Sequence, residues 1–193
     1  MIRILIFVFG LSGLYFAQTF IDTVKAEFHS HHGLRIDFSL TQDIQGNRHR
    51  SNGRFEIFSP DSFAYENGNS IIKVTGQTIA TFSPTQQHVI LETYSPEMYN
   101  SLSIFTGNFS GVQLQIKARH GKKIECNLFV PDYDISGTIW FNAESYLPDK
   151  LVVGTESADT VRILVDNIKE IKRSELMNRY TIDAEWEILD LRE

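Results

Sequence analysis

The stretch from Asn52 to Leu91 leaves little choice of architecture. Phe55 and Ile57 alternate with Arg54 and Glu56, and Ser59-Pro60-Asp61 then breaks the run. Phe63 and Tyr65 share one side of the next strand, Glu66-Asn67-Gly68-Asn69 turns the chain, and Ile71 to Val74 forms a third strand. Gly76-Gln77 makes a tight turn, Thr78 to Phe82 a fourth strand, Ser83-Pro84-Thr85 another turn, and Val89 to Leu91 a fifth strand. Asn and Gly suit such turns because they tolerate positive φ. Links of a few residues cannot carry a chain through a parallel crossover, so the spacing predicts an antiparallel meander.

The flanking sequence extends this pattern. Thr19 to His29 reads as a helix, with Phe20, Val24 and Phe28 recurring on one face, Ile21 beside them and Gly33 closing it. Leu34, Ile36, Phe38 and Leu40 alternate with polar residues, the mark of a half-buried strand, and Asp43 to Ser51 reads as a polar hairpin tip. Tyr94 to Phe109 loses the alternation. There Ser95 can cap a helix with Pro96 at its first position, and Met98, Leu102 and Phe105 follow at helical spacing with Ile104 adjacent. The second half returns to strands, over Phe109 to Ala118, Lys123 to Val130, Ser136 to Phe141, Leu151 to Gly154 and Thr160 to Ile168. Tyr180, Ile182 and Ala184 alternate and predict a last strand. Ten or eleven strands with two helices curl strongly through right-handed twist, and a curled sheet with helices on its concave side makes an unclosed barrel around an apolar hollow.

A chain of 193 residues suits one domain, and 42% hydrophobic residues can bury a core. A formal charge of −6 without a dense basic stripe argues against nucleic acid as a partner. Residues 1–17 read as a cleaved signal peptide, with Arg3 ahead of the apolar run Ile4 to Leu14 and Ala17 at the cut, which leaves 18–193 as a single domain. The one cysteine, Cys126, cannot form an internal disulfide and reads as a small buried residue.

No reactive set stands out. His29, His31 and His32 cluster at the end of the first helix, and Glu27 could supply a third ligand, but the spacing matches no strong zinc motif. Cationic His near a helix carboxyl end is the simpler explanation, so no metal is expected. Glu125 with Asp134, or Glu144 with Asp149, would make a carboxylate pair only if the fold joined them. No phosphate loop, nucleophile elbow or Ser-His-Asp order appears, so no cofactor and no catalysis are expected.

The pieces GRFEIFSP, SFAYE, SIIKV, TGQTIATFSP and QQHVIL, in that order, resemble the signature of the periplasmic outer-membrane lipoprotein carrier (LolA-like) family. Val130-Pro131, Trp140-Phe141, Leu147-Pro148, Leu151 to Val153 and Asp166-Asn167-Ile168 continue the resemblance, which covers most of the mature chain. Ala184-Glu185-Trp186 lacks the Pro-Gly loop common near the family's end. The resemblance implies a mainly β fold with helices: a strongly curved antiparallel sheet forming an unclosed β-barrel, with a helical lid over an apolar cavity. It implies that Leu34, Ile36, Phe38, Leu40, Phe55, Ile57, Phe63 and Tyr65 line a lipid-binding cavity and that Met98, Leu102, Ile104 and Phe105 form the lid. The implied activity is that of a monomeric carrier. It takes the acyl chains of lipoproteins across the periplasm, from an inner-membrane ABC-type release complex to an outer-membrane acceptor. One position departs from the family. Its well-studied branch has an Arg before the Pro that closes the strand, and that Arg latches the lid; here the residue is Ser59. A regulator or sensor of the same fold, binding lipid or peptide without shuttling it, is the alternative. A secreted hydrolase on a β scaffold is a third reading.

Overall fold

A computed structural model of the chain describes residues 19–68, 70–95, 104–154, 159–179, 181–182 and 186–192. The strands are β1 (Leu34–Ile44), β2 (Asn47–Ser59), β3 (Ser62–Asn67), β4 (Ser70–Thr75), β5 (Thr78–Ser83), β6 (His88–Thr93), β7 (Gln113–His120), β8 (Lys123–Val130), β9 (Ile135–Asn142), β10 (Pro148–Gly154), β11 (Thr160–Glu170) and β12 (Glu187–Asp190). Helix α1 covers residues 19–30 and the short helix α2 covers Glu175–Arg179.

All these strands belong to one sheet, in the order β12-β6-β5-β4-β3-β2-β1-β11-β10-β9-β8-β7. Its two edges, β12 and β7, are not bonded to each other, so the barrel is unclosed. The order shows two meanders laid side by side. The first runs outward from β1 to β6, and the second runs inward from β7 to β11, where it pairs with β1. The link from β6 to β7 must therefore travel from one flank of the sheet to the other. The described part of that link carries a 3₁₀ turn at Ile104–Thr106 with all three residues buried.

Helix α1 closes the hollow as its apolar period demands. Phe20, Val24 and Phe28 are all buried in the same cluster as the inner face of the sheet. Phe20 meets Phe141 edge-on at 5.3 Å, while Phe28 packs against Gly107, where an added Cβ would lie 2.9 Å from the Phe28 Cβ. Each fully buried Phe or Val on α1 contributes about 1.5–3 kcal/mol.

Two expectations are corrected and one is sharpened. The hairpin tip read at Asp43 to Ser51 is present and tight: β1 continues to Ile44 and β2 starts at Asn47, turning at Gln45-Gly46 with φ of 51° and 78°. The last strand expected at Tyr180, Ile182 and Ala184 is not seen in the part of it that is described. Tyr180 and Ala184 lie outside the described residues, Ile182 is in no strand, and the strand is β12. Nor is the sheet wholly antiparallel, since β12 runs parallel to β6 while every other described pairing is antiparallel.

The outer face is also partly covered, which alternation alone does not predict. Glu56, expected on a polar side, is fully buried. Its carboxylate accepts from Arg35 at 2.6 Å, from the Ser174 hydroxyl at 2.6 Å and from the Leu176 backbone at 2.9 Å. Lys73 reaches the Met177 carbonyl at 2.8 Å, and Arg179 meets Glu66 at 2.6 Å. These bonds fasten α2 across the outside of β2, β3 and β4.

Candidate functional site

Register brings the expected inner-face residues together in rows. Leu34 stands opposite Ile57, which stands opposite Phe63; Ile36 stands opposite Phe55, which stands opposite Tyr65. All of these and Phe38 and Leu40 are buried except Tyr65, which is half-buried against the same cluster. Phe38 faces Gly53 in the next row, and its ring lies across the bare Cα; a Cβ at Gly53 would sit 2.2 Å from Phe38 Cζ. Glycine there lets three rings converge. Phe38, Phe55 and Tyr65 have centroids 5.3 Å, 4.8 Å and 6.0 Å apart. Burial pushes the Tyr65 phenol above its usual pKa, partly offset by its hydrogen bond with the Asn67 side chain.

The crossing segment completes this nest. Phe105 is fully buried and stacks nearly parallel on Phe55, with centroids 5.5 Å apart and planes 13° apart. Ile104 is buried in the same cluster, and the Tyr94 ring closes on Phe63 at 6.0 Å. Of the four lid residues, Ile104 and Phe105 are thus placed over the sheet, while Met98 and Leu102 lie outside the described residues. In this closed form the hollow is filled by the chain's own rings.

The second meander supplies the other half of the wall. Ile124, Cys126 and Leu128 of β8, with Ile139 and Phe141 of β9, are buried in the same cluster. The cavity residues read from the sequence stopped at Tyr65, although the i, i+2 spacing in β8 carried the same signal. A hollow of about 460 Å³ is bordered by Phe38 and Gly53 from this nest and by Asp37, Asn52, Arg54, Glu66, Gly68 and Asp166. Its charged walls, with Arg54 bonded to Asp37 at 2.7 Å, do not suit a hydrocarbon.

No protein-family model matches the chain, and no curated protein matches it. Solved structures do. One described as an uncharacterized conserved protein from Thermus thermophilus matches with a TM-score of 0.61 at 11% identity, over 92% of this chain and 99% of that one. That match establishes a shared fold and no more. A LolA superfamily protein from Nitrosomonas europaea matches with a TM-score of 0.49 at 10% identity, over 82% and 95% of the two chains. A putative outer membrane lipoprotein-sorting protein domain from Vibrio parahaemolyticus has the same TM-score and coverage at 6% identity.

Ser59, where the sequence resemblance expects a latching Arg, has its hydroxyl committed locally. It donates to Asp61 Oδ1 at 2.5 Å, tightening the turn into β3, and makes no other side-chain bond among the described residues. Strand alternation would put Ser59 on the side of Phe55 and Ile57, but the β2–β3 ladder shifts register between Ile57 and Ser59, so that alternation does not carry through. Among the described residues, Phe105 meets β2 through its ring stack on Phe55.

The other candidates have local roles. His31 Nδ1 lies 2.6 Å from Glu170 and its Nε2 lies 3.4 Å from Glu27, which ties the end of α1 to β11. Among the described residues no three metal-ligating side chains come together. Glu125 pairs with Lys117 at 2.7 Å and Glu144 with Lys122 at 3.0 Å, rather than with a second carboxylate. Cys126 is fully buried, and loss of solvent pushes its thiol up to about 12. Native protein is accordingly expected to resist a disulfide reagent at neutral pH and to react fully once unfolded in urea. Rapid labelling of folded protein would show that β8 opens readily.

Proposed function

We propose that this chain is a periplasmic carrier that shields the acyl chains of lipoproteins and moves them from the inner to the outer membrane. One observation carries the reading. The inner face is apolar from both meanders, yet it is closed by α1 and by the Ile104–Thr106 turn, which belong to no strand ladder. These closures can move without breaking an inter-strand hydrogen bond. Phe105 is held by ring stacking, an interaction that a hydrocarbon chain can replace.

The energetics suit a handover. Each buried methylene of a lipid contributes about 0.8 kcal/mol, so a multiply acylated polypeptide does not leave a bilayer unaided. Here the guest must first displace buried rings, and net affinity is the guest's burial minus theirs. A modest difference lets cargo pass on without nucleotide hydrolysis. Non-directional apolar contact also tolerates varied chains. In this reading residues 1–17 direct export and are removed, the donor is an ABC-type release complex, and the acceptor lies at the outer membrane. Among the described residues no helix is long and apolar enough to cross a membrane.

The test is to incubate delipidated full-length protein with vesicles holding a fluorescently labelled lipoprotein. A carrier yields a water-soluble one-to-one complex that then delivers label to fresh acceptor vesicles. Label that stays in the donor vesicles refutes lipid binding. A soluble complex that never delivers supports the sensor reading in place of the carrier.

A further inference from the structure

The chain holds a second apolar cluster, on the opposite face of the sheet from the acyl site. Ile71 of β4, Phe82 of β5, and Val89 and Leu91 of β6 are all buried there, joined by Ala80. What covers them includes one indole. Trp186 packs edge-on against Phe82, with centroids 5.5 Å apart and planes 85° apart. Directly after Trp186 the chain enters β12 and runs parallel along the edge of β6, Glu187 beside His88 through to Asp190 beside Leu91. Backbone bonds extend this ladder at both ends, from Glu187 N to Gln87 O at 2.9 Å and from Leu191 N to Leu91 O at 2.7 Å.

The manner of attachment is unlike that of any other strand. Every residue of β12 is exposed, with Ile188 and Leu189 at 50% and 52%. The strand therefore gains little from side-chain burial and is held by main-chain bonds and the Trp186 anchor. Neither meander needs it, since β1 to β6 and β7 to β11 are each complete without it. The bonds from α2 to Glu56, Lys73 and Glu66 lie upstream, so β12 can leave while α2 stays. An extended segment fixed to a sheet edge by its backbone, with one aromatic side chain in a neighbouring pocket, is how a sheet binds a peptide from another protein.

We propose that the β6 edge and the outer-face pocket of Ile71, Phe82, Val89 and Leu91 form a groove for an extended polypeptide segment of a partner protein, and that residues 186–191 are its resident, displaceable occupant. The way the resident is held defines the partner's chemistry: a leading aromatic residue for the pocket, followed by a short extended segment that bonds through its backbone, as Trp186 and Glu187–Asp190 do. Displacement is local, because a strand with so little burial opens at a small fraction of the global unfolding free energy. The groove is separate from the acyl-binding face and does not depend on the carrier reading.

A fluorescein-labelled peptide matching residues 181–192 tests this against the full-length chain and its Trp186→Ala variant. Loss of the anchor weakens the resident strand, so the peptide is expected to bind the variant roughly tenfold or more tighter than the wild type. The same peptide with Trp replaced by Ala should bind neither. Equal affinity for both proteins, or binding to neither, overturns the proposal. Hydrogen exchange of the wild type gives a reading that does not depend on the variant's folding. Amides of β12 should exchange by local opening that low urea leaves unchanged, ahead of those of β4 and β5; exchange of β12 in step with β5 overturns it as well.

Discussion

Replacement of Arg35 by Ala is expected to cost about 3–5 kcal/mol of folding stability, enough to unfold a domain of ordinary stability under mild conditions. Glu56 has no solvent exposure, and Arg35 Nη2 lies 2.6 Å from its carboxylate. Without the guanidinium, a carboxylate is left buried with only the Ser174 hydroxyl and the Leu176 amide as donors. The cost is that of an uncompensated charge and not of a lost contact. Arg35 also lies 3.0 Å from Glu175, which is exposed, and that second pair contributes little. The double variant Arg35→Met, Glu56→Gln keeps an acceptor for Ser174 and Leu176 and removes the stranded charge. It is expected to regain roughly half of the loss or more. Urea unfolding of the two variants decides the matter. A loss below about 1 kcal/mol for Arg35→Ala would mean that water reaches Glu56 and that α2 covers it only loosely.

The second large effect concerns Phe105. As an ordinary core residue, Phe105→Ala should destabilise the protein by about 3–5 kcal/mol and bring nothing in return. If the ring is a plug that cargo must displace, the variant should also hold acyl chains more tightly. Burial of one Phe is worth about 1.5–3 kcal/mol, which corresponds to between one and two decades of affinity. The expected outcome is thus a pair of opposite changes: lower resistance to urea without ligand, and stronger retention of a labelled lipoprotein. Delivery to acceptor vesicles should slow for the same reason. A small engineered cavity binds benzene-sized guests in any apolar core, so the cargo in this comparison must carry a long acyl chain. Retention that stays level or falls, alongside the lost stability, would make Phe105 plain core and would leave the carrier reading without its entry route.

Much of the inner face was legible because it obeys a period of two. Leu34, Ile36, Phe38 and Leu40 announce themselves, and Phe55, Phe63 and Tyr65 follow the same rule on neighbouring strands. Helix α1 was legible from Phe20, Val24 and Phe28. The outer face was not, because a charged residue between two apolar ones reads as solvated. Glu56 is instead buried by donors more than a hundred positions downstream, a pairing that no local pattern encodes. One clue was present: Ile71 and Ile72 are adjacent and cannot share a face, so β4 had to be covered on both sides. The parallel course of β12 could not be read either, since it follows a helix and not a tight turn. At Ser59 the sequence shows a departure from the Arg that the resemblance expects, and the structure gives that hydroxyl to Asp61.

If the chain carries lipids as proposed, the free margins of the sheet bear on the range of cargo. In a fully seamed barrel, girth is fixed by strand number and stagger, and an oversized guest must tear hydrogen bonds to enter. Here β7 and β12 have no seam between them, so a change of girth at that gap breaks no hydrogen bond between the two. On that reading, thickness of cargo becomes a matter of posture and not of strand number.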